Sequence, residues 1–238
     1  MNIDIQRSSD RGTTRTNWLN SRHSFSFGNY FNPARMGFGL LKVLNDDIIE
    51  PGGGFPTHHH DNMEIVTIVL EGALQHKDSS GGEGVIKPGE VQAMSAGRGI
   101  YHSEFNASDK EPVHLLQIWV GTAQQDLKPG YGQKKARNSM TIPVAGGADR
   151  RSEGAVSPGL HINQDAQFYL GELEKGIETE HEVETGKGSY VFVISGSIEM
   201  ARQQLGEGDA AGITDTRTFP IKALEDSRIL VIDVPMDN

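Results

Sequence analysis

Cysteine is absent from this chain of 238 residues. Its absence excludes disulfide bonds, thiolate nucleophiles, iron–sulfur clusters and cysteine-ligated zinc sites. A chain without disulfides is compatible with a reducing compartment, and we predict a cytoplasmic protein. Any metal that the chain binds must therefore be held by histidine, aspartate or glutamate side chains.

Long apolar segments and excess positive charge are missing as well. The longest uninterrupted apolar run covers residues 190–194, far below the ~20 residues of a membrane-spanning helix. Residues 1–20 mix arginine with aspartate and contain no apolar block, which is untypical of a secretory signal or a transit peptide. The formal net charge of −10 disfavours phosphate backbones and anionic lipid surfaces. We therefore expect no direct nucleic-acid partner and no membrane association.

Amphipathic helical periodicity is scarce. Short runs of β-branched and aromatic residues take its place, and many of the 29 glycines separate them. The clearest runs are residues 39–45, 64–70, 113–120, 190–194 and 229–234. Pro-Gly and Gly-Gly pairs recur between the runs too often for long helices. The sequence predicts an all-β fold, either a sandwich or a barrel.

One strand pattern occurs twice. The segment Glu-Ile-Val-Thr-Ile-Val-Leu-Glu-Gly at 64–72 is similar to Gly-Ser-Tyr-Val-Phe-Val-Ile-Ser-Gly at 188–196, which lies 124 positions later. A further strand pattern and a Gly-acidic turn follow each copy. Two copies of one β unit predict two domains, with the seam in the polar segment 122–138. We predict an N-terminal domain at residues 1–135 and a C-terminal domain at residues 136–238.

The histidines are clustered. Six of the nine lie between positions 58 and 114, and His58, His59 and His60 are contiguous. Side chains alternate between the faces of a strand, so His58 and His60 point the same way. A second pair at the same spacing, His102 and Glu104, follows a Gly-Arg-Gly turn. If the two strands are neighbours, three imidazoles and one carboxylate converge, and this donor set suits a first-row divalent metal.

Histidine runs also occur in solvated surface loops, so one His-x-His pair alone is weak evidence for a metal site. The second pair, in a β context with glycines nearby, favours the metal site. Among the remaining histidines, we expect His76 on the surface and His114 in or beside the core. His23 is a candidate for approaching a bound molecule, because several aromatic residues follow it closely in the sequence.

Two motifs resemble those of the cupin superfamily. They are Gly54-Phe-Pro-Thr-His58-His-His60-Asp-Asn-Met-Glu64 and Gly99-Ile-Tyr-His102-Ser-Glu104-Phe-Asn106. Further matching segments are Val-Leu-Glu-Gly at 69–72, Gly-Val-Ile-Lys-Pro-Gly at 84–89 and Arg-His-Ser-Phe-Ser-Phe-Gly at 22–28. With them, the chain resembles the bacterial, quercetin 2,3-dioxygenase-like branch of the pirin family of bicupins. The resemblance is strong in the N-terminal half and rests on the repeat pattern in the C-terminal half.

The resemblance implies two double-stranded β-helix (jelly-roll) barrels packed together, with one divalent transition metal in the N-terminal cupin domain. The implied ligands are His58, His60, His102 and Glu104. The implied metal is Fe(II), although manganese, nickel, copper and zinc suit the same donors. Strand alternation places Glu64 on the face of His60, so we expect Glu64 near the metal as a hydrogen-bond partner, with direct ligation as the open alternative. Glu104 and Glu64 are the candidate catalytic residues, as acceptors of a substrate proton.

The second copy of the β unit lacks a matching donor set. The residues at the corresponding positions are Glu182, Glu184, Gly188, Ile221 and Ala223. His181 lies one position away from the ligand register, which favours a structural or surface role. We therefore expect a degenerate C-terminal cupin domain without metal ligands, packed against the first domain.

The resemblance also implies an activity: quercetin 2,3-dioxygenase chemistry, the ring-opening oxygenation of a flavonol or similar enolic substrate with O2. The expected partners are a small aromatic or enolic molecule and dioxygen. Two alternatives stay open. One is a pirin-like regulator that acts through metal-dependent contacts with a protein partner, and the other is a cupin enzyme of a different reaction class.

Overall fold

The computed structural model describes residues 1–136 and 160–236 together with the backbone of residues 141–146. Its regular elements are strands, apart from one turn of 3₁₀ helix at Ser8–Asp10, which confirms the prediction of an all-β fold. No helix in the described part of the chain is long and apolar enough to cross a membrane. Parts of the predicted seam and C-terminal domain, at 137–140, 147–159 and 237–238, lie outside the described residues.

The strands are numbered in chain order. They are β1 (Asn2–Gln6), β2 (Gly12–Arg15), β3 (Leu19–His23), β4 (Leu41–Ile49), β5 (Gly54–His60), β6 (Met63–Glu71), β7 (Leu74–Asp78), β8 (Glu83–Ile86), β9 (Glu90–Ser95), β10 (Ile100–Asn106), β11 (Val113–Gly121), β12 (Gly130–Lys135), β13 (Thr141–Gly146), β14 (Leu160–Ile162), β15 (Gln167–Leu173), β16 (Glu178–Glu182), β17 (Lys187–Ser195), β18 (Ser197–Met200), β19 (Gln203–Gly206), β20 (Ala210–Thr214), β21 (Thr218–Ala223) and β22 (Ser227–Pro235).

Two sheets form the first barrel. The larger sheet has the strand order β12-β9-β6-β11-β4-β3-β2, and the smaller sheet has the order β5-β10-β7-β8. All pairings in both sheets are antiparallel. β10 therefore lies between β5 and β7, and the two predicted ligand motifs, on β5 and β10, are on adjacent strands.

The second barrel repeats this arrangement. Its larger sheet has the order β1-β20-β17-β22-β15-β13-β14, and its smaller sheet has the order β16-β21-β18-β19. β16 pairs with β21 as β5 pairs with β10, so the sequence repeat corresponds to a structural repeat. β1 comes from the start of the chain and yet pairs with β20. The domain division after residue 135, where β12 ends, stays a prediction.

The two larger sheets pack face to face. One apolar core joins buried side chains of both barrels, among them Leu44, Ile118, Phe168, Phe192 and Leu230. Strands β6 and β17 are buried on this face and also on their barrel's inner face. Burial on both faces explains why the repeated segments are continuous apolar runs instead of an alternation.

The barrel interiors differ. A single apolar core that includes Val193, Phe219 and Ile221 fills the second barrel. Inside the first barrel the apolar side chains form two separate clusters, one around Leu74 and the other around Ile65. Buried histidine, carboxyl and amide side chains share this interior with them. The second barrel has a smaller buried polar group, in which His181 and Ser189 bond Asp233.

Candidate metal centre

Strand pairing brings the two histidine motifs together. His102 on β10 lies directly opposite His58 on β5, and a β-bulge follows between His102 and Glu104. Bulges of this kind re-aim side chains and are common beside functional sites. A Cβ added at Gly54 would lie 2.5 Å from the carbonyl oxygen of Glu104. Glycine therefore permits the close approach of β5 to β10 at this point.

Donor atoms of His58, His60 and His102 all lie within 4.8 Å of one another. The Nε2 atoms of His58 and His102 are 2.9 Å apart. Two cis ligands, each at about 2.1 Å from one ion, are themselves about 3 Å apart. His58 Nδ1 donates a hydrogen bond to the carbonyl oxygen of Pro56 at 2.8 Å, which leaves the lone pair on Nε2 for a metal, as is usual for ligating histidines.

Glu104 is held by a chain of hydrogen bonds from the opposite sheet. Thr67 Oγ1 donates to Gln117 Oε1 at 2.8 Å, and Gln117 Nε2 donates to Glu104 Oε2 at 2.8 Å. The second oxygen, Glu104 Oε1, is buried and has no hydrogen-bond partner among the described residues. A buried carboxylate oxygen without a partner is costly, and a cation would satisfy it. The donor set therefore fits a divalent metal.

Burial sets the protonation of these groups. It lowers the pKa of His60 to about 4 and that of His102 to about 3, with neighbouring imidazoles contributing to both values. Burial also raises the pKa of Glu104 to about 7, against the hydrogen bond from Gln117. Neutral imidazoles are the form that binds metals. The site is therefore ready for a cation without first losing protons from these two histidines.

His76 was expected on the surface, and this expectation is wrong. β7 alternates so that Leu74, His76 and Asp78 face the interior, and His76 is fully buried opposite Glu104. Its donor atoms also lie within 4.8 Å of those of His102 and Glu104. The alternation of Leu74-Gln75-His76-Lys77-Asp78 could have revealed this placement.

The ring nitrogens of His76 are already engaged. Nε2 lies 3.0 Å from Asp78 Oδ2, and Nδ1 lies 3.1 Å from Gln92 Nε2. Since a carboxylate accepts and an amide nitrogen donates, Nε2 carries the proton and Nδ1 accepts. The ring of His76 lies 5.3 Å from the ring of His102, centroid to centroid. His76 therefore packs beside His102, and neither of its ring nitrogens has a free lone pair for a metal.

The expected place of Glu64 beside the metal is also wrong. Glu64 Oε2 accepts hydrogen bonds from Ser95 Oγ at 2.5 Å and from the backbone N–H of Asn163 at 3.0 Å. It belongs to neither group of potential ligands. Asn62, with φ 47°, forms the turn between β5 and β6, and these strands lie in opposite sheets. The alternation counted from His60 therefore does not continue to Glu64, which contacts the second barrel.

A cavity of about 410 Å³ opens beside the histidines. Aromatic side chains form much of its wall, and Phe27, Phe55 and Trp119 are among them. The Trp119 ring stands edge-on to His60 at 4.8 Å, and Phe27 packs on Trp119 at 5.4 Å. A flat, apolar molecule in this cavity would therefore lie against His58, His60 and Glu104, which line it as well.

Three further histidines have structural partners. His23 lines the cavity, as its candidate role required, and its nitrogens bond Asn45 Oδ1 and Thr14 Oγ1, both at 2.8 Å. His114 bonds Asp46 at 2.6 Å. In the second barrel, His181 bonds Asp233 at 3.0 Å. Among the described residues, both groups of three or more potential metal ligands lie in the first barrel.

Comparisons with known proteins cover both halves of the chain. The family model described as Pirin matches residues 5–120, and the one described as the quercetinase C-terminal cupin domain matches residues 152–234. The chain is 37% identical over 233 residues to the quercetin 2,3-dioxygenase of Escherichia coli strain K12, covering 98% of this chain and 99% of that protein. It is 35% identical over 220 residues to the pirin-like protein of Caulobacter vibrioides, covering 91% and 92%.

A solved structure shows the same architecture. The bacterial pirin YhhW from Escherichia coli, in complex with nickel(II), matches with a TM-score of 0.90 and 36% sequence identity. The match covers 98% of this chain and 99% of that chain. The similarity therefore extends over both barrels and includes a protein that binds a divalent metal.

Proposed function

The chain belongs to the pirin family of bicupins, and we propose that it is a metal-dependent dioxygenase that opens the ring of a flavonol or a similar enolic substrate with O2. The observation that carries this proposal is the convergence of His58, His60 and His102 beside an aromatic cavity. Glu104 lines the same cavity, and its Oε1 atom is buried without a hydrogen-bond partner among the described residues. A relative that covers nearly the whole chain is named quercetin 2,3-dioxygenase, which supports the same class of reaction.

The proposed metal ligands are His58, His60, His102 and Glu104, and the proposed native metal is Fe(II). A divalent transition metal acts as a Lewis acid that lowers the pKa of a hydroxyl group next to it. Nitrogen and carboxylate donors of this kind bind several first-row metals, and availability selects among them. The nickel(II) complex of the bacterial pirin YhhW is consistent with that breadth.

The chain's own residues bind and orient the substrate. Phe27, Phe55 and Trp119 offer flat apolar surfaces that hold an aromatic ring system and exclude water from it. Glu104 is the carboxyl group at the histidine end of the cavity, and we assign it the role of accepting the proton of the enolic hydroxyl. Gln117 holds that carboxyl in place.

The two domains, at residues 1–135 and 136–238, have different proposed roles. The first domain carries out the reaction, and the second domain supports the first structurally. The positions in the second barrel that correspond to the β10 ligands hold Ile221 and Ala223, which are buried in its apolar core. A cytoplasmic location is part of the proposal.

An oxygen-electrode assay with quercetin tests the proposal, with metal content measured on the same samples. The wild-type protein should consume dioxygen, and His58→Ala should lose both metal and oxygen uptake. His59→Ala is the matched control, because His59 is exposed and belongs to neither ligand group. Metal binding without oxygen uptake on quercetin and related enols would overturn the proposal and favour a regulatory role or another reaction class.

A further inference from the structure

The cavity contains a second buried carboxyl group that the proposed reaction leaves unassigned. Asp47 on β4 lines the cavity and is 3% exposed. Its Oδ1 atom is buried and has no hydrogen-bond partner among the described residues. In proteins such carboxyl groups are paired with a cation or fully hydrogen-bonded, since an incomplete set of partners costs free energy.

The strand register fixes where Asp47 points. Asp47 lies between Ser21 on β3 and Leu115 on β11. It shares the inner face of β4 with Asn45, two residues away. Ser21 lies directly opposite on β3, and its side chain counters the rise in the pKa of the Asp47 carboxyl. Oδ1 remains without a hydrogen-bond partner among the described residues.

The neighbouring charged groups do not neutralise Asp47. Arg11 and His114 both bond Asp46, the adjacent residue, whose side chain lies on the other face of β4. The nearby Glu104 carries the same sign of charge. Burial raises the pKa of Asp47 to about 7, as expected for a carboxyl group without a cation.

The cavity wall offers one unpartnered donor as well. Trp119 Nε1 is buried and has no hydrogen-bond partner among the described residues. The wall therefore combines flat apolar surfaces with an acceptor on Asp47 and a donor on Trp119. A planar aromatic molecule with hydroxyl groups can use both. A molecule with its own carboxylate would meet a like charge at Asp47.

We propose that Asp47 determines specificity by accepting a hydrogen bond from a ring hydroxyl of the aromatic molecule bound in this cavity. The inference rests on the proposed function, because that function makes the bound molecule a flavonol. Asp47 selects flavonols that carry hydroxyl groups on their aromatic rings over the unsubstituted flavonol core. It plays no part in holding the metal.

Anaerobic binding of two probes to the metal-loaded protein tests this role. The probes are quercetin and 3-hydroxyflavone, which shares the enolic hydroxyl but lacks the ring hydroxyls. At a mildly alkaline pH the wild-type protein should prefer quercetin, and Asp47→Leu should reduce that preference by about tenfold. Asp47→Asn keeps an oxygen acceptor and should retain part of it. Asp109→Asn, at an exposed position outside the cavity, is the control and should behave like the wild type.

Two outcomes overturn the inference: an unchanged preference for quercetin in Asp47→Leu, or equal binding of the two probes by the wild-type protein. Binding of 3-hydroxyflavone by Asp47→Leu shows that the variant is folded. Oxygen uptake, measured afterwards in air, separates this inference from the proposed function. If Asp47→Leu loses the preference for quercetin but the wild-type protein consumes no dioxygen, the role of Asp47 is supported and the dioxygenase proposal is overturned. If the wild-type protein consumes dioxygen but Asp47→Leu keeps the preference, the dioxygenase proposal is supported and the role of Asp47 is overturned.

Discussion

Gln117 donates a hydrogen bond to Oε2 of Glu104 at 2.8 Å and leaves Oε1 without a partner. Gln117 lies on β11 of the larger sheet and Glu104 on β10 of the smaller sheet. The position of the carboxylate therefore depends on both sheets of the first barrel. Thr67 fixes the orientation of the Gln117 amide by donating to its oxygen, so the nitrogen must face Glu104.

Replacing Gln117 with leucine should weaken metal binding by roughly 10- to 100-fold, because Glu104 loses the partner that orients it. Thr67→Val should act in the same direction with a smaller effect, since it only frees the amide to rotate. Competition with a chelator measures both affinities. Gln75→Ala is the control, because Gln75 faces outward on β7. Wild-type affinity in Gln117→Leu would contradict the supporting role of Gln117.

His102→Ala and His76→Ala should differ, although both side chains are buried. Loss of His102 removes a proposed ligand, so the purified variant should contain less than about a tenth of the wild-type metal. Loss of His76 should leave about one metal per chain, because both ring nitrogens of His76 are already hydrogen-bonded. Elemental analysis decides between these cases. A folded His76→Ala protein without metal would show that His76 is a ligand.

Glu64→Ala should destabilise the protein and leave its metal in place. The carboxylate accepts hydrogen bonds from Ser95 and from the backbone of Asn163, and their loss leaves buried donors unpaired, at a cost of about 2 kcal/mol. Glu64→Gln should cost less, because it keeps an acceptor. Urea unfolding gives the free energy of unfolding, and elemental analysis gives the metal content. If Glu64→Ala lost its metal while folded, Glu64 would have a place at the site after all.

Asp47 should make the metal-free protein less stable as the pH rises. Burial raises its pKa to about 7 in the folded state, from an ordinary value of 3.8. The folded protein therefore holds this proton more tightly than the unfolded chain does, and stability falls as the pH rises from the lower value through the higher one. Asp47→Asn removes this loss, so its advantage over the wild type should grow to the order of 4 kcal/mol above pH ~7.

Urea unfolding of both proteins across this pH range measures the difference in free energy. The comparison between the wild type and Asp47→Asn cancels the titration of distant groups. Asp47 also raises the pKa of Glu104, so the change in Glu104 adds to the difference in the same direction. If the difference in the free energy of unfolding stayed constant from acid to neutral pH, Asp47 would not be a buried carboxyl group that lacks a cation.

The sequence was sufficient for features that depend on local patterns. Strand alternation placed His58 and His60 on one face, and the repeated apolar segments predicted two related β units. The structure pairs β5 with β10 and so joins the two motifs at His102. Their shared role as metal ligands stays a prediction.

The features that the sequence did not reveal depend on contacts distant along the chain. His76 is buried because β7 pairs with β10, and a strand pattern alone does not name its neighbour. Glu64 faces the second barrel because the turn at Asn62 interrupts the alternation. β1 joins the second barrel because it pairs with β20, which lies near the other end of the chain. Each of these outcomes is decided by the tertiary fold.

We propose that His58, His60, His102 and Glu104 together hold one divalent metal in the first barrel. The most direct measurement is anomalous X-ray scattering from crystals of the iron- or nickel-loaded protein, recorded at the absorption edge of the metal. We expect one anomalous peak, at about 2.0–2.3 Å from one nitrogen of each histidine and from one oxygen of Glu104. A peak bonded to His76 instead of His58 and His60, or a peak inside the second barrel, would contradict it.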